Sequence, residues 1–257
     1  MPRRLSMVLG AGLAFVLFAA CSDDASGGDG SDPGDSGPTA TMTTPPHDPD
    51  AQPELEGPAS QYSILQADLE KEYLTDVGGT FVLDSEMYGA SKAFESPEEG
   101  VALLEDWGYL GGYETGYTPD GYERAVLNGS IYFWVETHLF EDADGAQAAF
   151  DYINGRLESS VSTRVESYPV GNGSVAWEAI GDDVPGSSVE SVFHRVVFHR
   201  GNLVAVVATY GAEPLVTVRQ AADLARIIDG KAVGEGELVQ PTPVNGSASF
   251  TGSGQGD

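Results

Sequence analysis

Scarcity is the first information this chain offers. It holds a single cysteine, Cys21, so no disulfide can form within the chain and none supports its fold. Basic side chains are few: 12 Lys and Arg stand against 40 Asp and Glu, a formal net charge of −28. Such a surface repels phosphate backbones and anionic headgroups, which excludes nucleic acid as a partner. There is no HExxH, no Cys–His cluster and no Gly-rich phosphate loop between a strand and a helix. Zinc chemistry and nucleotide cofactors therefore have no motif to rest on, and no cofactor or metal is expected. Of four histidines, His47 falls in a polar stretch, and His194 and His199 are five apart on one predicted strand, hence on opposite faces. Asp142-Ala143-Asp144-Gly145 has the look of a calcium loop. Set on Gly145, however, the first and last ligand positions of an EF-hand fall on Phe140 and Asp151, and the pattern fails. The aspartates read instead as caps of the helix that follows.

Long apolar runs are also missing, with one exception. After Met1-Pro2-Arg3-Arg4, the chain is mostly apolar and uncharged from Leu5 to Ala20. A basic start, a short apolar core and small residues before a cut are the parts of an export signal, and no basic stop-transfer cluster follows. The run ends in Leu17-Phe18-Ala19-Ala20-Cys21, which resembles the lipobox of bacterial lipoproteins. The resemblance implies that residues 1–20 are a signal peptide cut after Ala20. It also implies that the Cys21 sulfur carries a diacylglycerol, and that its new amino group is often acylated. Two or three acyl chains anchor a protein stably, since each buried CH₂ contributes about 0.8 kcal/mol. The chain is thus expected outside the cytoplasm, lipid-anchored to the cell membrane or outer membrane, with the membrane as one partner. Loss of Arg3 and Arg4 takes Lys plus Arg from 12 to 10 and the formal charge from −28 to −30.

Residues 21–60 then read as the lipidated cysteine and a disordered acidic linker, rich in Asp, Gly, Pro, Ser and Thr and free of Lys and Arg. Such a segment buries too little to offset the entropy of ordering, and its r.m.s. span is roughly 35 Å. Gly34-Asp35-Ser36-Gly37-Pro38 inside it is one glycine short of a serine-protease nucleophile motif, but lacks a rigid scaffold to present it. Residues 232–257 repeat the linker chemistry as a tail. That leaves 61–231 as a single domain, long enough to bury a core unaided.

Within it the predicted class is α+β: a mostly antiparallel sheet with about three helices packed on one face. Ser96-Pro97-Glu98-Glu99 starts one helix as a capping box with Pro at the first turn. Ala146, Ala149, Phe150, Ile153 and Leu157 stripe a second, and Ala221, Leu224, Ala225 and Ile228 a third. Strands are predicted near residue 80 and over 111–117, 131–140, 175–180, 192–200 and 203–210, the last two joined by a Gly201-Asn202 turn. The order suggests two strand–strand–helix units. The Arg200-Gly201-Asn202 hairpin and the Ala-rich last helix bear a faint similarity to uncharacterised extracytoplasmic domains of bacterial lipoproteins, which implies location but no activity.

The candidate site is the sheet face opposite the apolar stripe Ile131, Phe133, Val135, Leu139. It carries Tyr132, Trp134, Glu136 and His138, and the hairpin register adds Phe193, Arg195, His199 and Tyr210. If exposed, such a surface suits a sugar, a peptide or a protein partner in the envelope. If covered, it is ordinary packing. Three functions remain open: a non-catalytic ligand- or partner-binding domain, which is the leading reading; an envelope hydrolase using Glu136 and His138, or His199, as acid and base; and a structural spacer.

Overall fold

The computed structural model describes residues 16–17, 50–69, 73–235 and 238. Ala20, Cys21 and the remainder of the predicted signal and linker up to residue 49 lie outside them, as does nearly all of the predicted tail. The described chain forms an eight-stranded antiparallel sheet. Its strands are β1 (Val16–Leu17), β2 (Tyr73–Leu83), β3 (Tyr109–Pro119), β4 (Ile131–Phe140), β5 (Thr163–Val165), β6 (Gly173–Asp183), β7 (Glu190–Arg200) and β8 (Leu203–Ala212). The helices are α1 (Ser85–Gly89), α2 (Pro97–Asp106), α3 (Tyr122–Leu127), α4 (Ala143–Glu158) and α5 (Val218–Ala232), with two 3₁₀ turns at Ala59–Gln61 and Gln66–Asp68. The sheet runs β2-β3-β4-β8-β7-β6-β5, and β1 pairs with the start of β4. The predicted α+β class stands, and β4 and β8, the strands that precede the two long helices, lie side by side at its centre.

Local chemistry explains the boundaries. The Ser96 hydroxyl accepts from Glu99 N at 3.1 Å, Pro97 occupies the first turn of α2, and the Glu99 carboxylate reaches back to Glu95 N at 3.0 Å. Asp142 caps α4 by accepting from Gly145 N at 2.8 Å, so the calcium-like aspartates serve the helix end. Gly201 and Asn202 close a two-residue hairpin between paired Arg200 and Leu203. Gly201 has φ 54°, a conformation glycine adopts without steric cost.

The helices depart from the single layer expected. Alternation puts Val196 and Phe198 on one face of β7 and Val197 on the other. Ala221, Leu224, Ala225 and Ile228 of α5 pack in one cluster with Val196, Phe198, Ala205 and Val207. Ala146, Ala149 and Phe150 of α4 pack in another with Val197, Val204 and Val206, which also takes in Tyr88 of α1, Phe94 and Leu104 of α2. Helices therefore cover both faces. The cause is β8, whose ten positions are all buried: a central strand apolar on both sides needs cover on both.

Ordered contacts begin ten residues before the 60/61 boundary read from composition. Asn202 donates through Nδ2 to Leu55 O at 3.1 Å and accepts from Leu55 N at 2.7 Å. Arg200 Nη1 and Asn172 Nδ2 both donate to Ala51 O, at 3.1 and 3.0 Å. This strap of residues 51–56 is held by its backbone, which is why its polar composition disguised it. Behind it, Arg200 forms a two-pronged ion pair with Asp229 of α5, Nε to Oδ1 at 2.7 Å and Nη2 to Oδ2 at 3.0 Å. Gly171 N adds a third bond to the same carboxylate at 3.2 Å.

Candidate functional site

The face of the sheet shared by Tyr132, Trp134, Glu136 and His138 is set by register. Glu136 stands opposite Glu114 on β3 and Val206 on β8; His138 opposite Gly112 and Val204; Trp134 opposite Gly116 and Ala208. Arg195 of β7 follows Ala208 in the Trp134 row. The glycines of Gly-Tyr-Glu-Thr-Gly (residues 112–116) thus flank Glu114 and lie beside His138 and Trp134 of β4. At Gly112 the room is required: a Cβ there would stand 2.5 Å from the Tyr109 hydroxyl and 2.6 Å from His138 Nδ1.

A polar chain runs along this face. The Trp134 indole donates to Glu136 Oε1 at 3.2 Å, and His138 Nε2 lies 3.3 Å from Oε2. His138 Nδ1 lies 3.3 Å from the Tyr109 hydroxyl, which donates to Leu83 O at 3.2 Å. Tyr88 of α1 stacks on the imidazole with ring centres 4.1 Å apart. The Arg195 guanidinium sits 5.5 Å from the Trp134 ring centre, a cation–π arrangement.

The two carboxylates have opposite electrostatic characters. Burial alone would raise Glu136. The His138 hydrogen bond and charge, the Trp134 indole and the Arg195 charge outweigh it and hold Glu136 below the ordinary carboxylate value. Glu114 receives no hydrogen bond from any of the described residues. Burial, and then the charge of Glu136, push it up to about 7. Burial also raises Tyr109 and Tyr88, which the Glu136 charge pushes further.

The predicted site residues separate into three groups. Trp134, Glu136, His138 and Arg195 are brought together. Tyr132 and Tyr210 pair across β4 and β8 at the far end, where Tyr132 meets Tyr122 and Tyr210 meets Phe193 at 4.8 Å. His199 lies in the His138 row, two strands and therefore about 10 Å away, against Phe150 of α4 at 4.9 Å. The rings are covered: exposure is 7% for Tyr132, 8% for Trp134, 3% for Tyr210 and 0% for His138. The accessible part of the face is charged, made by Glu114, Glu136 and Arg195, with Phe81 of β2 opposite Glu114 and 38% exposed. Sequence reasoning missed Glu114, Tyr109 and Tyr88. The one signal for Glu114 was its place between two glycines of the same strand parity.

For acid–base chemistry the arrangement is confined. Both imidazole nitrogens of His138 face protein groups, Glu136 and Tyr109, and Tyr88 covers the ring. A separate groove of about 270 Å³ lies between the α2–β3 turn and the start of α4, lined by Asp106, Glu141, Asp142 and Asp144 among others. Among the described residues, no three His, Cys, Asp or Glu are grouped to hold a metal ion, and no helix is long and apolar enough to cross a membrane.

No protein-family model matches the sequence, and no curated relative does. Among solved structures, the chain is similar to the extracellular domain of PknH from Mycobacterium tuberculosis. The match has 16% identity and a TM-score of 0.39, and covers 68% of this chain and 94% of that one. That likeness is too distant to carry a function across.

Proposed function

We propose that this chain is a lipid-anchored protein of the bacterial cell envelope, held by acylated Cys21, whose α+β body binds a ligand or partner without catalysis. The binding surface is the charged strip Glu114–Glu136–Arg195. The observation that supports it is the state of Glu114. A half-buried carboxylate in mid-sheet, beside a second carboxylate and with no donor among the described residues, is costly to maintain. A ligand that supplies a donor or a positive charge at that point relieves the cost, and Phe81 offers an apolar wall beside it. Amino sugars, lysine-bearing peptides and polyamines have this chemistry.

The chain from residue 21 onward, carrying Cys21→Ala, should show a melting temperature that rises with concentration of one of these probes. The rise should disappear in Glu114→Gln. If none of them, nor calcium, neutral sugars or acidic metabolites, shifts the melt, the strip binds no small ligand, and crosslinking in intact cells then separates a protein partner from a spacer. Anchoring is checked separately. The wild-type chain should enter the detergent phase and Cys21→Ala should leave it. Retention of the variant in the detergent phase would overturn the lipid reading.

A further inference from the structure

Glu114 and Glu136 occupy directly opposed positions on β3 and β4, which places their Cβ atoms about 4.5–5.5 Å apart on one face. Each oxygen of Glu136 already accepts one hydrogen bond, from Trp134 and from His138. A carboxylate oxygen has two acceptor sites, so either oxygen can still take an O–H from a neighbouring carboxylic acid. Glu114 stands opposite Glu136 in the register, near enough for the Glu136 charge to raise its own affinity for a proton. The groups facing this pair are His138 on β4, Arg195 on β7, Tyr109 on β3, and Tyr88 on α1 with its N-cap Asp84.

The pair connects to the edge of the sheet. Glu136 meets His138, His138 meets Tyr109, and Tyr109 donates to Leu83 O, the last residue of β2. Asp84 and α1 follow at once, and α1 lays Tyr88 back over His138. Apart from that cover, β2 pairs among the described residues with β3 alone, and its register breaks between Asp76 and Phe81, just before it reaches Glu114.

We propose that Glu114 and Glu136 share one proton, and that this proton latches the β2–α1 edge onto the sheet: the edge is closed while the proton is held and loosened when it leaves. Proton loss puts two negative charges side by side at the position where Phe81 pairs. It also strains the Glu136–His138–Tyr109–Leu83 chain that ends at the β2–α1 junction. The elevated affinity of Glu114 for its proton, released at about pH 7 rather than 4.5, sets the range. The latch requires no ligand and so stands independently of the binding reading.

The test is an NMR titration of the chain from residue 21 with Cys21→Ala, without added ligand, between pH 4 and 8.5. The Glu114 side-chain carboxyl carbon should titrate near pH 7, about 2.5 units above its ordinary value. The amides of Phe81–Tyr88 should move with the same midpoint, and in Glu114→Gln they should stay at their low-pH positions throughout. Any response from His194 and His199, both lowered from 6.5 by burial, does not depend on Glu114, and the variant separates it. A Glu114 midpoint near 4.5 in the wild-type chain would overturn the proposal without recourse to any variant. Edge amides that do not move, or that move equally in Glu114→Gln, would do so as well.

Discussion

Asp229→Ala tests the account of the packing most severely. Arg200 is 1% exposed and Asp229 9%. The two make paired bonds of 2.7 and 3.0 Å, and the same carboxylate receives Gly171 N. Removing the carboxylate takes both of these bonds from a buried guanidinium that also donates to Ala51 O, and it orphans the Gly171 amide. Breaking one side of a buried pair costs about 3–5 kcal/mol. For a body of about 185 described residues, an unfolding entropy near 2.1 cal/mol/K per residue gives about 0.39 kcal/mol/K, so 4 kcal/mol lowers the melting temperature by about 10 °C. Replacing both partners by apolar groups, Arg200→Met with Asp229→Leu, should recover most of the loss. It should retain a deficit of about 1–2 kcal/mol for the Gly171 and Ala51 bonds. Urea unfolding of the chain from residue 21 provides the free energies. A loss under about 1 kcal/mol for Asp229→Ala, or a double variant no better than the single, would refute the claim that this pair is a buried tie between β7, α5 and the strap.

Gly201→Ala should cost about 2–3 kcal/mol, because its φ is 54° and a Cβ there would lie 2.0 Å from Pro53 O. In a chain begun at residue 58 the strap is gone and only the φ penalty of about 1 kcal/mol should remain, as chemical denaturation will show. Trp134→Ala should destabilise by about 3–4 kcal/mol, as expected of a buried aromatic; an unchanged melt would restore the reading of an exposed binding ring. Stability should also fall as pH rises from about 4.5 to 7, since the folded chain keeps the Glu114 proton that the unfolded chain releases. The shift from 4.5 to about 7 bounds the effect near 3 kcal/mol, and solvent access to the carboxylate reduces it to about 1–2. Glu114→Gln removes this slope. His194, lowered by burial although Glu178 lies 3.1 Å from its Nε2, and His199, also lowered by burial, act in the opposite sense, withdrawing stability as pH falls below their ordinary 6.5, so the variant should keep only that limb.

The elements that sequence revealed are those with a local cause. A serine, a proline and two glutamates in order mark α2 because the first turn needs those donors and acceptors within four residues. Gly201-Asn202 marks the hairpin because few residue pairs turn that tightly. The strap was hidden because local bonds hold only its end, at Glu56 O: the partners of Ala51 and Leu55, namely Asn172, Arg200 and Asn202, lie more than 100 residues away. The second helical layer was legible in principle. "LVAVVATYGA" has no polar alternation along β8, and a strand without a polar face is covered on both sides. The stripe of α4 showed that it had an apolar face to bury, but not which side of the sheet would receive it.

The site was half visible for the same reason. Strand parity placed Trp134, Glu136 and His138 together, and the hairpin register brought Arg195 into their neighbourhood, because both rules act within a few residues. Parity does not say what lies above a face. Tyr88 comes from α1, a five-residue helix with little periodic signal, yet it covers His138 and turns an expected aromatic surface into a buried layer. Nor does parity give register between strands not joined by a tight turn. β3 and β4 are separated by α3, so the opposition of Glu114 and Glu136 follows only from tertiary pairing. That opposition sets the chemistry of the face. Burial alone would already raise either glutamate. Set opposite each other, with one held ionised by Trp134, His138 and Arg195, the other is left to take up a proton or a ligand's positive charge. Proton and ligand then compete for one carboxylate, so affinity for a cationic probe should rise as pH passes through 7, and a pH-independent affinity would mean that the probe binds elsewhere.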